Sequence, residues 1–343
     1  MNILIIRIGS IGDTVVALPA IYAIIEKHPD ANIHFLCDNQ GQTNAGDIVA
    51  QLNITKKIYY YKKTEHKLGL IKLLSTIREL RGNSYDFVYH LSVERAYIGF
   101  IRDNIVIKHI IKPKYYFTSK GLVTGKISNV YRGEIILPEW KRLLKMVNPH
   151  SAYTEFRYCP STVVMQDVEL ILKKRKIFSP YNMVAISVGS NMNAKQWPIE
   201  NYISLVSYLN NKYSDYIIAF VGGPSDFYTA QKVSEYLKVP KFVNLCGELS
   251  VIETAAFLTL CKLHIGNDSG PMHLASMVGI RCISIYSARD AIGKWNTLSN
   301  NNIQLRSEVN CSMCMLTDCK NSNLCLTNIS VKMVTNILEK VLN

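Results

Sequence analysis

GNDSGPMH (residues 266–273) follows a short apolar run at 263–265 and precedes an apolar helical pattern at 274–278. This order predicts a strand, a tight turn and a helix, the repeating unit of a parallel α/β sheet. The start of such a helix exposes backbone N–H groups and the positive end of the helix dipole. Because this environment suits a phosphate or diphosphate, we expect here the donor site of a nucleotide-using enzyme.

The first half of the chain shows the same alternation of strands and helices. A strand at 3–8, a glycine-containing turn at 9–13, a helix at 14–27 and a strand at 33–37 predict a β-α-β unit. Further along, the pattern predicts a helix at 70–81, a strand at 87–91 and a basic surface loop or short insertion at 108–126.

The second half restarts the pattern after a break around 160–180. We predict the following strands: 183–188, 216–221, 243–245, 263–265 and 280–286. We predict the following helices: 163–176, 200–212, one ending near 237, 251–261 and 331–342. The sequence therefore predicts an α/β protein with two Rossmann-like, doubly wound domains facing an interdomain cleft. The expected domains are 1–165 and 180–330, followed by a C-terminal helix at 331–343.

Composition narrows the class of protein and its partners. The chain has 343 residues and a net charge of +13, and residues 1–160 carry 22 Lys and Arg against 13 Asp and Glu. A basic first half would attract an anionic partner, although a merely solvated basic surface remains an alternative. Nucleic acid is disfavoured because no aromatic-plus-basic RNA motif or helix-turn-helix pattern is present.

The cellular location is inferred from segments that the sequence lacks. No apolar run approaches the roughly 18–20 residues of a membrane span, and residues 1–7 lack the features of a secretory signal. We therefore expect a cytoplasmic protein.

Asp13 is the candidate catalytic residue of the first half. It stands at the end of the first predicted strand, where functional sites of open α/β sheets lie, next to Gly12. Its carboxylate could take a proton from a hydroxyl as a general base. The alternative is a helix N-cap, and position alone favours neither reading. The glycine pattern lacks the third glycine of a dinucleotide fingerprint, so NAD is poorly supported.

Three further turns carry candidate binding residues. Lys195, with Ser190 and Asn191, could clamp a phosphate after the strand at 183–188, or Lys195 could be a solvated loop residue. Asp226 could bond ribose hydroxyls or cap the next helix. His273 could donate to a phosphate or a sugar oxygen, or could be a structural histidine.

Four of the nine cysteines cluster near the C-terminus, at Cys311, Cys314, Cys319 and Cys325. In a cytoplasmic protein this density suggests a structural metal more than disulfides, with zinc first and iron also possible. Four free thiols in a loop are the alternative. We expect no catalytic metal.

Five motifs in order resemble glycosyltransferase family 9, the ADP-heptose:lipopolysaccharide heptosyltransferases. They are RIGSIGD (7–13), KQWP (195–198), GGP (222–224), LCGELS (245–250) and GNDSGPMH (266–273). The resemblance implies a GT-B fold and an inverting transfer without a catalytic metal. It implies heptose transfer from ADP-heptose to the anionic lipopolysaccharide inner core, with peripheral contact at the inner face of the inner membrane.

The same resemblance implies a role for each candidate residue. Asp13 would be the base, and Arg7 and Gly12 would lie near the acceptor. The donor-binding residues would be Ser190, Asn191, Lys195, Asp226, Leu249, Asp268, Ser269, Gly270 and His273. Asn191 stands where the family often has a hydroxyl, which leaves the donor open. Two alternatives are a family-9 transferase that uses another nucleotide sugar or heptosylates a protein such as an autotransporter, and a nucleotide-binding module without transfer activity.

Overall fold

The computed structural model describes residues 1–38, 45–61, 75–92, 102–118, 137–151, 153, 156–178, 181–237, 239 and 241–342. These residues fall into two compact units, the first ending at Tyr153 and the second beginning at Phe156. The helix Thr162–Lys174 packs on Val251–Thr259 within the second unit, whereas the sequence placed the end of the first domain at residue 165. Each unit has its own parallel sheet, so the predicted α/β class is confirmed.

The first unit is built on a five-stranded sheet with the order β3-β2-β1-β4-β5. Its strands are β1 Asn2–Ile6, β2 Asn32–Asp38, β3 Lys57–Tyr61, β4 Phe87–His90 and β5 Tyr115–Thr118. Its helices are α1 Ile11–Lys27, α2 Ala45–Gln51, a π-helix Val106–Ile111 and α3 Glu139–Val147, and residues 75–81 are also helical. All four strand pairs are parallel, and Ile3 is in register with both Ile33 and Phe87.

The second unit is built on a six-stranded sheet with the order β11-β10-β9-β6-β7-β8. Its strands are β6 Met183–Ser187, β7 Ile217–Phe220, β8 Phe242–Asn244, β9 Leu263–Asn267, β10 Cys282–Tyr286 and β11 Asn302–Arg306. Its helices are α4 Thr162–Lys174, α5 Ile199–Lys212, α6 Phe227–Leu237, α7 Val251–Thr259, α8 Gly270–Met277, α9 Leu324–Thr327 and α10 Val331–Leu342. Two 3₁₀ turns, Asn193–Lys195 and Pro224–Asp226, follow β6 and β7.

The strand order places the predicted motifs at the centre of each sheet. Every residue of β6, β9 and β10 is buried, as expected for central parallel strands covered on both faces. From β6 the chain runs to β7 and β8 on one side, while β9, β10 and β11 lie on the other. Ligands of open α/β sheets bind at the carboxyl ends of strands where the order reverses, here between β6 and β9.

Two features of the first unit differ from the sequence-based expectations. The first helix begins at Ile11, three residues before the expected start, because Ser10 caps it. The loop predicted for 108–126 is wrong for 108–111, which continue the π-helix, and for 115–118, which form β5, while 119–126 lie outside the described residues. Ile107 and Ile111 explain the helical part, because both are buried four residues apart on one face. Of the helix expected at 70–81, residues 70–74 also lie outside the described residues.

Three edge or near-edge strands, β3, β5 and β11, were not predicted. None of the five positions of β11 is fully buried, and Tyr115 of β5 is exposed. The sequence of β11, NIQLR, lacks the continuous apolar run that marks β6, so it resembles a loop. Within the described ranges, no helix is both long enough and apolar enough to cross a membrane.

Gly189→Ala is expected to destabilise the second unit, because a Cβ at this position would lie 1.9 Å from Asp226 Oδ1. Asp226 is also held by its other oxygen, which accepts the Gly223 N–H at 2.9 Å. Overpacking of this kind costs about 1–3 kcal/mol. Thermal unfolding followed by circular dichroism measures the loss. Gly223→Ala is the control, because the nearest atom to its added Cβ is Ser225 Oγ at 3.8 Å. Equal melting temperatures for both variants would contradict this packing.

Candidate active site

The candidate base Asp13 lies in the first turn of α1, at the carboxyl end of β1. Its Oδ2 accepts the Ser10 N–H at 2.7 Å and the Ser10 hydroxyl at 2.9 Å, which closes a capping box with Ser10 as the N-cap. Its Oδ1 lies 3.5 Å from Arg7 Nη2, and the Asp13 side chain is 20 % exposed. Asp13 is thus not the N-cap itself, but it does support the helix start while its side chain stays partly exposed.

Arg7 and Gly12, the predicted acceptor residues, are both buried. The Arg7 guanidinium is fully buried and donates to the backbone carbonyls of Leu91 and Asp13. Gly12 is enclosed in the first turn of α1. This geometry gives Arg7 a supporting position behind Asp13, joining the ends of β1 and β4. Acceptor contact by either residue stays a prediction.

A buried cluster of charges lies at the carboxyl ends of β6, β9 and β10. Lys195 Nζ donates to Asp268 Oδ2 at 2.6 Å and lies 3.6 Å from Asp290 Oδ2. Arg289 Nη1 donates to Asp290 Oδ2 at 2.7 Å, and His273 Nε2 lies 3.5 Å from Asp268 Oδ1. Lys195 is 12 % exposed and Asp268 only 3 %. Two cations therefore balance two carboxylates in a space largely closed to solvent.

Mutual attraction keeps Lys195 and Asp268 ionised. Burial opposes the charge on Lys195, but Asp268 and Asp290 outweigh it, so the pKa of Lys195 is raised. Burial likewise opposes ionisation of Asp268, but Lys195 and His273 outweigh it and hold the pKa of Asp268 below its usual range. The Lys195 ammonium is therefore a fixed positive charge at neutral pH.

Several polar atoms around this cluster lack a partner. Ser269 Oγ, His273 Nδ1 and Trp295 Nε1 are buried and make no hydrogen bond within the described part of the chain. Ser269 is the N-cap of α8, yet its hydroxyl does not cap the helix. Buried polar groups are normally satisfied, so three such atoms beside one ion pair indicate a site whose hydrogen bonds are completed by a ligand.

Asn267 organises the cluster and was not singled out from the sequence. Its Oδ1 accepts the Trp197 N–H and the Tyr202 hydroxyl, each at 3.0 Å, and its Nδ2 donates to Val188 O at 2.8 Å. These bonds tie the end of β9 to the segment after β6, which carries Lys195. The sequence could have indicated this role, because Asn267 lies within the GNDSGPMH turn motif.

Arg289, Asp290 and Trp295 were also missed. They follow β10, which pairs directly with β9. Trp295 packs near the cluster, with its ring centre 5.8 Å from Lys195 Nζ. The rule that identified Asp13 and Asp268, a charged residue just after a buried strand, also applies to Asp290.

The two turns predicted to hold a nucleoside lie against each other. The Gly247 N–H donates to Gly222 O at 3.0 Å, and a Cβ on Gly247 would lie 2.8 Å from Pro224 Cα. Gly247 has a φ of +76°, a second reason for glycine at this position. Leu249, two residues on, is half-buried. The Asp226 carboxylate is used as a cap, and its burial raises the pKa of Asp226.

The remaining clamp residues lie in the segment between β6 and the Lys195 turn. Ser190 Oγ accepts the Met192 N–H at 3.3 Å, and Ser190 O accepts from Gln196 Nε2 at 2.8 Å. Asn191 is exposed. The structure thus brings Lys195, Asp268, Ser269, Gly270 and His273 together, while Asn191 points to solvent beside them.

The four clustered cysteines do not form a ligand set. Cys325 Sγ accepts the Ala288 N–H at 3.4 Å, and Cys319 Sγ accepts the Asn321 N–H at 3.3 Å. Within the described ranges, no three His, Cys, Asp or Glu side chains are grouped so that they could hold a metal ion. This arrangement gives no support to the structural zinc or iron that the spacing suggests, and that metal stays a prediction.

Comparison with known proteins identifies a family. The sequence pattern described as "Glycosyltransferase family 9 (heptosyltransferase)" matches residues 135–325, more than half of the chain. Lipooligosaccharide heptosyltransferase 2 of Campylobacter jejuni subsp. jejuni serotype O:6 is 25% identical over 336 residues, which cover 96% of each chain.

Two solved structures share the fold. A glycosyl transferase family 9 protein from Veillonella parvula DSM 2008 has a TM-score of 0.73 and 17% identity, covering 99% of this chain and 97% of that one. ADP-heptose lps heptosyltransferase II of E. coli has a TM-score of 0.71 and 16% identity, covering 100% and 98%. These likenesses confirm the predicted GT-B fold class.

Asp268→Asn is expected to lower the pKa of Lys195, because it removes the strongest interaction that opposes the effect of burial. The Lys195 amine should then lose its proton, and react with an amine-specific reagent, at lower pH than in the wild type. Mass spectrometry of labelled peptides across a pH series measures this midpoint. Asp215→Asn is the control, since Asp215 is exposed and 92 % accessible. An unchanged Lys195 midpoint in Asp268→Asn would refute the assigned electrostatics.

Proposed function

The chain belongs to glycosyltransferase family 9 and is a glycosyltransferase, and we propose that it moves heptose from ADP-heptose to the inner core of lipopolysaccharide with inversion. The observation that carries this proposal is the buried Lys195–Asp268 pair, 2.6 Å apart at the start of α8 and surrounded by unsatisfied polar atoms. The relatives named as heptosyltransferases support the choice of sugar.

In this proposal Lys195 and the start of α8 hold the diphosphate. An ammonium group has three donors, and Lys195 uses one of them on Asp268, so two remain for phosphate oxygens. Ser269 Oγ and the backbone of Ser269 and Gly270 add donors at the positive end of the helix dipole. As the glycosidic bond breaks, this fixed positive charge stabilises the negative charge that develops on the β-phosphate.

The remaining groups of the cluster would hold the sugar and the nucleoside. Asp268 Oδ1 and His273 lie 3.5 Å apart and would share the hydroxyls of the heptose. The adjoining turns that contain Asp226 and Leu249 would form the nucleoside pocket, with Ser190 and Asn191 completing the phosphate clamp.

Asp13 would act as the general base. The acceptor hydroxyl oxygen forms a bond to the anomeric carbon, and its proton passes to the Asp13 carboxylate. The bond between the anomeric carbon and the β-phosphate oxygen breaks, and its electron pair leaves with ADP. Attack from the face opposite to the leaving group inverts the anomeric centre. Arg7, fully buried behind the carboxylate, would keep Asp13 in place.

The acceptor side of the proposal rests on charge. Residues 1–160 carry 22 Lys and Arg against 13 Asp and Glu, which suits a phosphorylated glycolipid and an anionic membrane surface. We propose that the protein works at the inner face of the inner membrane as a peripheral, cytoplasmic enzyme.

Asp13→Asn is expected to lower kcat for transfer by about 10²- to 10⁴-fold, the range for loss of a general base, with little change in ADP affinity. Asn keeps a side-chain oxygen that can accept from Ser10, so the helix cap and the thermal stability should largely survive. Product formation by mass spectrometry and ADP binding by calorimetry separate the two effects.

The control for this variant is Asp30→Asn, which makes the same change at an exposed position of the same unit. Near wild-type turnover by Asp13→Asn would remove Asp13 as the base. Equal losses of transfer and of ADP affinity would instead point to a binding role.

The function itself is tested by incubating the protein with ADP-heptose and a series of truncated lipopolysaccharides, and weighing the products. We expect one heptose to be added to one truncated core, and ADP-heptose to outcompete UDP- and GDP-sugars. Transfer to a protein acceptor alone would favour the protein heptosyltransferase, and nucleotide binding without any transfer would favour a binding module. Either result would overturn the proposal.

A further inference from the structure

The cysteine-rich segment 311–325 is bound to the turn that carries Lys195. The Ala194 N–H donates to Thr317 O at 3.0 Å. Asn323 Nδ2 donates to Asn193 O at 2.9 Å, with a longer contact of 3.4 Å to Gln196 O. The single 3₁₀ turn Asn193–Lys195 is therefore held from outside, by a segment more than a hundred residues away in sequence.

The same segment is bound to the loop that carries Arg289 and Asp290. Arg289 Nε donates to Leu316 O at 2.7 Å and Nη2 to Met315 O at 2.8 Å. The Met313 N–H donates to Ala288 O at 2.7 Å. The third arm of the guanidinium, Nη1, reaches Asp290 Oδ2 at 2.7 Å. One buried arginine thus joins the segment to the charge cluster.

Both loops meet again at the ammonium of Lys195, which lies 3.6 Å from Asp290 Oδ2. Residues 311–325 therefore contact both the turn that carries Lys195 and the loop that carries Asp290. Those two loops in turn contact each other through the Lys195 ammonium. Within the turn that carries Lys195, the Lys195 N–H donates to Met192 O at 2.9 Å and the Gln196 N–H donates to Asn193 O at 3.1 Å. A three-residue 3₁₀ turn with no side-chain cap is particularly weak by itself.

We propose that residues 311–325 act as a clasp that positions Lys195 for the diphosphate, with Asn323 and Arg289 as its positioning residues. This rests on the proposed function only in the role of Lys195 as the diphosphate ligand. The clasp gives the cysteine-rich segment a task that needs no metal, and it explains why Asn323 takes a left-handed conformation, with a φ of +51°. In that conformation its amide reaches the Lys195 turn.

The experiment compares wild type, Asn323→Gly and Asn321→Gly. Glycine removes the Asn323 amide and tolerates its positive φ, so backbone strain is not introduced. Asn321 is exposed in the same segment and serves as the matched control. The first readout is the rate at which the Lys195 amine reacts with acetic anhydride, followed by peptide mass spectrometry. We expect a faster reaction at Lys195 in Asn323→Gly alone, because the released turn lets the amine leave its carboxylates. An unchanged rate would overturn the clasp, whatever the protein binds.

The second readout is the Kd for ADP in a double-mutant cycle with Lys195→Ala. Losing one hydrogen bond should weaken ADP binding in Asn323→Gly by about two- to tenfold. If Asn323 acts through Lys195, the same change in the Lys195→Ala background should have little further effect. Fully additive losses would overturn the clasp, since they would mean that Asn323 acts independently of Lys195. A wild type that does not bind ADP would contradict the proposed donor, while the labelling rate would still decide the clasp.

Discussion

The buried contact between Lys195 and Asp268 is the interaction on which the second unit depends. It joins the loops that follow β6 and β9, two strands that are paired directly in the sheet. Removing one partner of such a pair strands a buried charge and typically costs about 3–5 kcal/mol. The surrounding groups offset the cost of burying this pair. Asn267 fixes the two loop ends, while Asp290 and Arg289 complete the charge balance. In the proposed function the buried pair serves catalysis, because a fixed ammonium beside a helix start can bind a diphosphate without rearrangement.

The candidate sites of the two units share one geometric feature. In each sheet the strand order reverses at the centre, between β1 and β4 in one and between β6 and β9 in the other. Polar groups gather at both places, Asp13 with Arg7 in the first unit and Lys195 with Asp268 in the second. The first group pairs a partly exposed carboxylate with a buried guanidinium, which suits the base proposed for Asp13. The second pairs a buried ammonium with a carboxylate beside unsatisfied polar atoms, which suits the diphosphate site proposed for Lys195.

Much of this could be predicted from the sequence, because buried parallel strands are continuous apolar runs and their carboxyl ends collect functional residues. That rule led to Asp13, Lys195 and Asp268. It did not separate the catalytic and capping readings of Asp13, because that depends on Ser10 being the N-cap. Edge strands such as β11 were missed for lack of an apolar run.

The long-range contacts of residues 311–325 could not be predicted from the sequence. Nothing local to Asn323 or Arg289 indicates that they support Lys195, since the hydrogen bond from Asn323 to Asn193 spans 130 residues of sequence and that from Arg289 to Met315 spans 26. The cysteine spacing suggests a metal site. In the structure, backbone groups of the same segment bind the turn that carries Lys195 and the side chain of Arg289. Contacts of this kind follow from the packing of the whole unit and not from any motif.

In the proposed function Lys195, held by Asp268, binds the diphosphate of the donor. A crystal structure of the protein with bound ADP is the decisive measurement. We expect a β-phosphate oxygen about 2.8 Å from Lys195 Nζ, the usual length of such a charged hydrogen bond, with the Lys195–Asp268 contact preserved. An ADP diphosphate bound away from the start of α8, with Lys195 still engaged only by its carboxylates, would contradict it.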